Sequence, residues 1–213
     1  MNTIVKTAVV FAFLALFAVG CLGLKQPGRK IDYYTLEYDS PEITGLKPIP
    51  IIIRLERFTV APLYNSNRIV YKEKEFRRDT YLYHKWRANP GDLVTYFLAR
   101  DLRQTDLFKA VTGVSFTIPS SYHIEGIVDE FFEEDEENSW KAVLSVNITL
   151  IIDNEPDISK RVVFQKRYNA VEECKKKNPH ALAEGMSAAM FKISQKIISD
   201  IYQHVAKRSF LSR

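Results

Sequence analysis

From Trp140 to Asp153 apolar and polar positions alternate: Ala142, Leu144, Val146, Ile148, Leu150 and Ile152 share one parity, while Ser145, Asn147 and Thr149 hold the other. Successive side chains of a strand point to opposite faces, so this pattern predicts a strand with one face in the core and one face wet. Tyr122 to Phe132 reads as its hairpin partner, with the acidic run Asp129 to Glu137 forming the turn. That run is either a solvated turn or a site for a cation or a basic partner; calcium-loop spacing is absent. Phe131 and Phe132 add a possible protein contact, or one core and one surface aromatic.

Other stretches carry shorter signals. Ile31 to Tyr38, rich in aromatic and β-branched residues, predicts a strand, and Asp39 to Pro50 a loop. In Ile51, Ile53 and Leu55 the apolar residues hold one parity, but Phe58 and Val60 hold the other. A one-residue shift swaps faces, so a bulge or bend is expected near Glu56-Arg57, and Pro62 ends the strand. Arg68 to Tyr71 and Thr80 to Trp86 are strand candidates joined through the charged Lys72 to Asp79, and Arg161 to Tyr168 is a further strand.

Two helices announce themselves by their starts. Asn89-Pro90 supplies a favoured N-cap and first helical residue, Asp92 complements the helix dipole, and Leu93, Phe97, Leu98 and Leu102 recur at helical spacing, so a helix should run from Pro90 to about Thr105. Asn178-Pro179 opens the second, with Leu182, Met186, Ala189, Ile193, Ile197, Ile201 and Val205 as its apolar stripe. Strand runs interrupted by two helices predict an α+β fold: a mostly antiparallel sheet with both helices packed on one face.

The N-terminus obeys a different rule. Lys6 precedes an apolar run from Ala8 to Val19, and the small residues Ala18 and Gly20 lead into Cys21. A positive start, a short apolar middle and a small-residue end make a secretory signal. Ala18-Val19-Gly20-Cys21 resembles a bacterial lipobox, with Ala18 where that pattern prefers Leu; the resemblance implies cleavage before Cys21 and a diacylglycerol on its sulfur, with an N-acyl chain. An uncleaved span is the alternative, but it needs about 20 apolar residues, and this run reaches Leu24 only by counting Gly20 and Gly23. The domain reading is therefore 1–20 signal, 21–30 lipidated tether and 31–213 a single periplasmic α+β domain.

Composition narrows function. At 46% hydrophobic and 26% charged, the chain is an ordinary globular protein. A net charge of +4 with mixed signs, on a secreted chain, argues against nucleic acid as a partner. With Cys21 acylated, Cys174 has no intramolecular partner; the lysines after it could lower its pKa, or it is an incidental loop thiol. No phosphate loop, Gly-x-Ser-x-Gly or His-Glu-x-x-His motif is present, and His84, His123, His180 and His204 lack metal-ligand spacing. No catalytic residue, metal ligand or cofactor is assigned.

Arg68-Ile69-Val70-Tyr71, Tyr83-His84-Lys85-Trp86, Asn89-Pro90 and Leu107-Phe108-Lys109-Ala110-Val111 occur in an order and spacing that resemble the auxiliary lipoproteins of ABC-type intermembrane transport systems, including paraquat-inducible and MCE-associated lipoproteins. Tyr33-Tyr34-Thr35-Leu36 and Asp129-Glu130-Phe131 fit the same pattern. The resemblance implies an outer-membrane lipoprotein facing the periplasm, which helps a permease, its ATPase and an MCE-domain protein move a hydrophobic cargo. Leu22 is consistent with outer-membrane sorting. Arg68, Tyr71, Tyr83 and Trp86, residue types common at interfaces, are the candidate partner contacts; for Tyr71 and Trp86 core packing is the alternative. An envelope-assembly scaffold and a periplasmic enzyme acting on lipid or envelope polymer are the competing functions, and homo-oligomerisation is left open.

Overall fold

The computed structural model describes residues 29–113, 118–137 and 139–211. The signal sequence, Cys21 and all but the last two tether residues lie outside the described residues. From Ile31 onward the chain forms one compact unit.

Its spine is β7 (Tyr122–Glu136). One edge zips antiparallel to β8 (Ser139–Ile152), from Tyr122 opposite Ile152 to Glu136 opposite Ser139, and β8 pairs in turn with β9 (Val162–Glu173). The other edge is shared by three parallel strands in succession. Beside Tyr122–Ile124 lies β2 (Ile49–Leu55), beside Ile127–Val128 lies β3 (Thr59–Val60), and beside Glu133–Glu134 lies β4 (Arg68–Lys74). Outward of β4 comes antiparallel β5 (Arg77–Trp86), then parallel β1 (Asp32–Tyr34); β6 (Phe108–Gly113) runs parallel to β2. The α+β class therefore holds, but the sheet is mixed rather than mostly antiparallel. Hairpins are local and visible in sequence, whereas parallel pairs form across long connections that leave no periodic trace.

The helices begin where their caps place them. In α1 (Pro90–Gln104) the Asn89 side chain accepts from Gly91 N at 2.9 Å. A four-residue helix, α2 (Ile158–Arg161), precedes β9, and in α3 (Pro179–Leu211) the Asn178 side chain accepts from Ala181 N at 2.8 Å. The predicted stripe of α3 is buried, with Met186, Ala189, Ile193, Ile197 and Ile201 at 0% exposure, and the helix packs across β8 and β9. Its counterpart α1 packs on β6 and β7 and also touches α3. The predicted core face of β8 is sealed from Ala142 to Leu150, but its opposite face is not uniformly wet: Ser145 is buried, donating to Asn169 Oδ1 at 2.8 Å and accepting from Arg167 Nε at 2.7 Å.

Several boundaries differ from the periodicity. The expected bend at Glu56-Arg57 is the gap between β2 and β3, where Phe58 turns inward so closely that a Cβ on Gly126 would lie 2.6 Å from its ring. The first strand covers only Asp32–Tyr34 of the predicted Ile31 to Tyr38, although Leu36 beyond it is buried. Between β4 and β5 the turn is only Glu75-Phe76, and Phe76 takes a left-handed φ of 59°. For an L-residue that conformation costs roughly 1–2 kcal/mol.

The acidic run is mostly strand, not turn. β7 continues to Glu136 because cations meet its carboxylates: Arg167 lies 3.0 Å from Glu130, Lys72 2.7 Å from Glu134, Lys177 2.5 Å from Asp135 and Lys141 2.8 Å from Glu136. Both phenylalanines are core residues, Phe131 edge-on to Trp86 at 5.1 Å and Phe132 stacked on Tyr64 at 5.8 Å.

Candidate functional site

The β4–β5 hairpin is irregular, and the irregularity makes the site. Arg68 pairs with Lys85 but Val70 pairs with Thr80, so Tyr81 to His84 bulge out opposite the single residue Ile69. Bulges re-aim side chains and interrupt pairing. On the far side of β5, β1 pairs only with His84 to Trp86, which leaves the outer edge of Arg77 to Leu82 without a strand partner among the described residues. Along this bulge runs a groove of about 810 Å³, bordered by Arg68, Tyr71, Tyr81, Tyr83, Asp135 and Lys177.

A chain of rings follows it: Tyr71 to Tyr81 at 5.0 Å, Tyr81 to His84 at 5.9 Å and His84 to Tyr34 at 5.8 Å. Beneath them Glu133 is 1% exposed, and the Tyr81 hydroxyl donates to both of its oxygens at 3.1 and 3.2 Å. Burial pushes the Glu133 carboxyl above its ordinary range, and the Tyr81 hydrogen bond opposes this in part. Burial and the Glu133 charge push the Tyr81 phenol upward too, so it stays a donor. At the rim Lys177 clamps Asp135, and that hydrogen bond holds the ammonium pKa above its usual value. The groove thus offers hydrogen-bonding aromatic edges and neutralised charge pairs, a surface suited to a polypeptide contact.

Three of the four proposed contact residues meet here: Arg68 and Tyr83 exposed, Tyr71 half-buried. Trp86 does not; it is 1% exposed against Phe131, so the core alternative applies to it. Tyr81, Glu133, Asp135 and Lys177 were missed, because nothing local in the sequence links positions so far apart. Leu82, 77% exposed in the bulge, carried the one available signal, an aliphatic side chain between two tyrosines in a predicted strand.

Two other groupings bear on chemistry. Cys174 lies in the loop after β9, as one alternative had it, but the lysines that follow do not lower its pKa. It is buried, and burial followed by the Glu133 charge pushes its pKa up to about 11, which keeps it an unreactive thiol. Ser120, Asp153 and His123 meet where β7 begins and β8 ends, with His123 Nδ1 2.5 Å from Asp153 Oδ1. The Ser120 hydroxyl, however, donates to the other Asp153 oxygen, and His123 Nε2 faces Glu125 at 3.6 Å. A nucleophilic triad needs the hydroxyl on the imidazole. This geometry instead ties two strand ends together. Among the described residues no group of three or more His, Cys, Asp or Glu side chains is placed to hold a metal ion.

The fold is a curled mixed sheet backed by a long C-terminal helix. The chain belongs to the ABC-type transport auxiliary lipoprotein component family, which it matches over residues 34–198. Its fold is similar to that of a protein from Xanthomonas campestris, at 14% identity and a TM-score of 0.76, covering 84% of this chain and 98% of that one. A second solved structure, of an uncharacterised protein, is 14% identical with a TM-score of 0.62, covering 81% and 99%. A hypothetical protein from Chlamydia trachomatis is 8% identical with a TM-score of 0.51, covering 74% and 98%. At such identities the likeness is one of fold. No curated protein matches the chain.

Proposed function

We propose that this protein is an outer-membrane lipoprotein, held by acyl chains on Cys21 and facing the periplasm, that docks an ABC transport system onto its membrane. Its partner is an MCE-domain protein working with a permease and ATPase that move a hydrophobic cargo. The observation that carries this reading is the gathering of Arg68, Tyr71 and Tyr83 along one open, bulged sheet edge in a chain of the transport-auxiliary family. The open strand edge from Arg77 to Leu82 invites an extended segment of a partner to add to it, with side-chain grooves supplying selectivity. Docking asks for no chemistry, and the grouping of Ser120, His123 and Asp153 is spent on structure.

A photo-crosslinking amino acid at position 83 tests the docking surface in cells that express the neighbouring transport genes. The expected adduct contains the MCE-domain protein; adducts with that protein from a probe on the far side of β9 but none from position 83 would overturn the assignment. Cys21→Ser followed by membrane fractionation tests the anchor, since a variant still lodged in the outer membrane would rule out acylation as its cause.

A further inference from the structure

Glu133 lies sealed beneath the groove, and among the described residues its carboxyl takes hydrogen bonds from the Tyr81 hydroxyl alone, at 3.1 and 3.2 Å. The cations nearby are spent on other acids: Lys72 on Glu134 at 2.7 Å and Lys177 on Asp135 at 2.5 Å. A buried carboxylate with no counter-ion of its own is costly, and it keeps its charge only as far as nearby water and hydrogen bonds favour that form.

Every element packed around the carboxyl bears on that charge. From β5 comes Tyr81, and from β4 comes Tyr71, which stands beside Glu133 in the strand register. On β7 itself Asp135 lies two residues on, and β8 sets the apolar Ala142 opposite. The segment between β9 and α3 contributes Cys174 and Lys177, and α3 contributes Glu184, whose charge reaches the thiol. Burial pushes Tyr71, Tyr81 and Cys174 upward, so these three stay neutral and none compensates an ionised Glu133. The attraction of Lys177 is opposed by the repulsion of the Asp135 it holds.

What favours the charged form is what an occupant of the groove takes away. A partner strand on the open edge from Arg77 to Leu82 covers Tyr81 and drives water from a space of about 810 Å³. It also pairs with the backbone of the bulge that aims the Tyr81 hydroxyl, and any shift of that bulge weakens the hydrogen bond on Glu133. Both changes favour the neutral acid.

We infer that Glu133 is a proton switch beneath the docking groove: a partner strand that adds to β5 binds together with a proton taken up by this carboxyl, so the partner is held more tightly in acid than in alkali. This rests on the docking reading of the groove. The complex holds the proton more firmly than the free protein does. Affinity is therefore highest at low pH and falls as pH rises through the free and then the bound pKa of Glu133, by at most about tenfold per pH unit for one proton.

The test is isothermal titration calorimetry of the full chain in detergent with the MCE-domain protein, from pH ~5 to ~8 and in pairs of buffers that differ in ionisation enthalpy. The expected result is proton uptake on binding and an affinity that falls as pH rises. Glu133→Gln, which keeps an acceptor but cannot titrate, should remove both. Tyr81→Phe removes the hydrogen bond that favours the carboxylate and should move the fall in affinity to higher pH; a fall that stays in place overturns the inference even where Glu133→Gln does not fold. Uptake that survives in Glu133→Gln also overturns it, and its loss in His84→Gln would put the proton on the imidazole 5.9 Å from the Tyr81 ring instead. Binding that exchanges no proton overturns the switch and leaves docking standing. No binding at any pH overturns docking, and this inference with it.

Discussion

The Tyr81 hydroxyl donates to both oxygens of the Glu133 carboxylate, at 3.1 and 3.2 Å, from inside the bulge of β5 to a residue sealed within β7. This contact closes the floor of the groove, and it does so with an acid whose charged form burial disfavours. The folded pKa of Glu133 lies above the ordinary 4.5, so the native state holds the proton more tightly than the unfolded chain. Stability is full below the ordinary value and falls as pH rises through the raised one. Glu133→Gln keeps an acceptor for Tyr81 and removes the titration. Thermal melts should show the variant more stable than wild type near pH ~8 and indistinguishable near pH ~4; a variant less stable near pH ~8 alone would show that the charge itself is needed.

Trp86 and Tyr83 stand three residues apart and should respond oppositely. Trp86→Ala empties a fully buried position beside Phe131 and should cost about 3–5 kcal/mol in denaturant unfolding. Replacing the exposed Tyr83 by Ala should change stability by no more than about 0.5 kcal/mol while reducing co-purification of the transport partner. If the two exchange behaviour, the groove is not the docking surface.

Much of this architecture was legible because its signals are local. The alternation in β8, the Asn-Pro starts of both helices and the stripe of α3 each declare themselves within one element, and the seven stripe residues from Leu182 to Val205 are buried as their spacing requires. What escaped depends on partners distant in sequence. No pattern around Glu133 marks it as buried, because its burial comes from Tyr81 and from neighbouring carboxylates that find lysines elsewhere. The same holds for the parallel strands laid along β7, and for the bulge, which exists only as a mismatch between the registers of β4 and β5. Three groove residues were reachable by residue type; Trp86 shares that type but faces the core.

Ser120 provides a check on the non-catalytic reading. Its hydroxyl hydrogen is committed to Asp153, which also holds His123, so no base withdraws its proton. A fluorophosphonate probe, which labels serines activated by a base, should leave Ser120 unmodified at concentrations that label a serine hydrolase fully. Labelling abolished by His123→Ala would reinstate an enzyme.

Asp101 anchors the segment that carries the chain from β1 to β2. Its side chain is 0% exposed and accepts from the Tyr38 hydroxyl at 2.8 Å, from Ser40 Oγ at 2.5 Å and from the Arg100 guanidinium at 2.7 and 2.9 Å. The same guanidinium lies 4.4 Å from the Tyr38 ring centre and donates to the Tyr38 carbonyl at 3.0 Å, so one carboxylate organises both sides of the contact. Asp101→Ala would strand a half-buried cation and two hydroxyl donors at once. Breaking a buried pair from one side costs about 3–5 kcal/mol, whereas Ser40→Ala removes a single donor and should cost about 1 kcal/mol. Because this segment leads directly from β1, hydrogen exchange should show the larger substitution loosening residues 35–48 and the end of α1 before the β7–β8 hairpin opens; uniform loosening of the whole sheet would mean that the connection is not an independent latch.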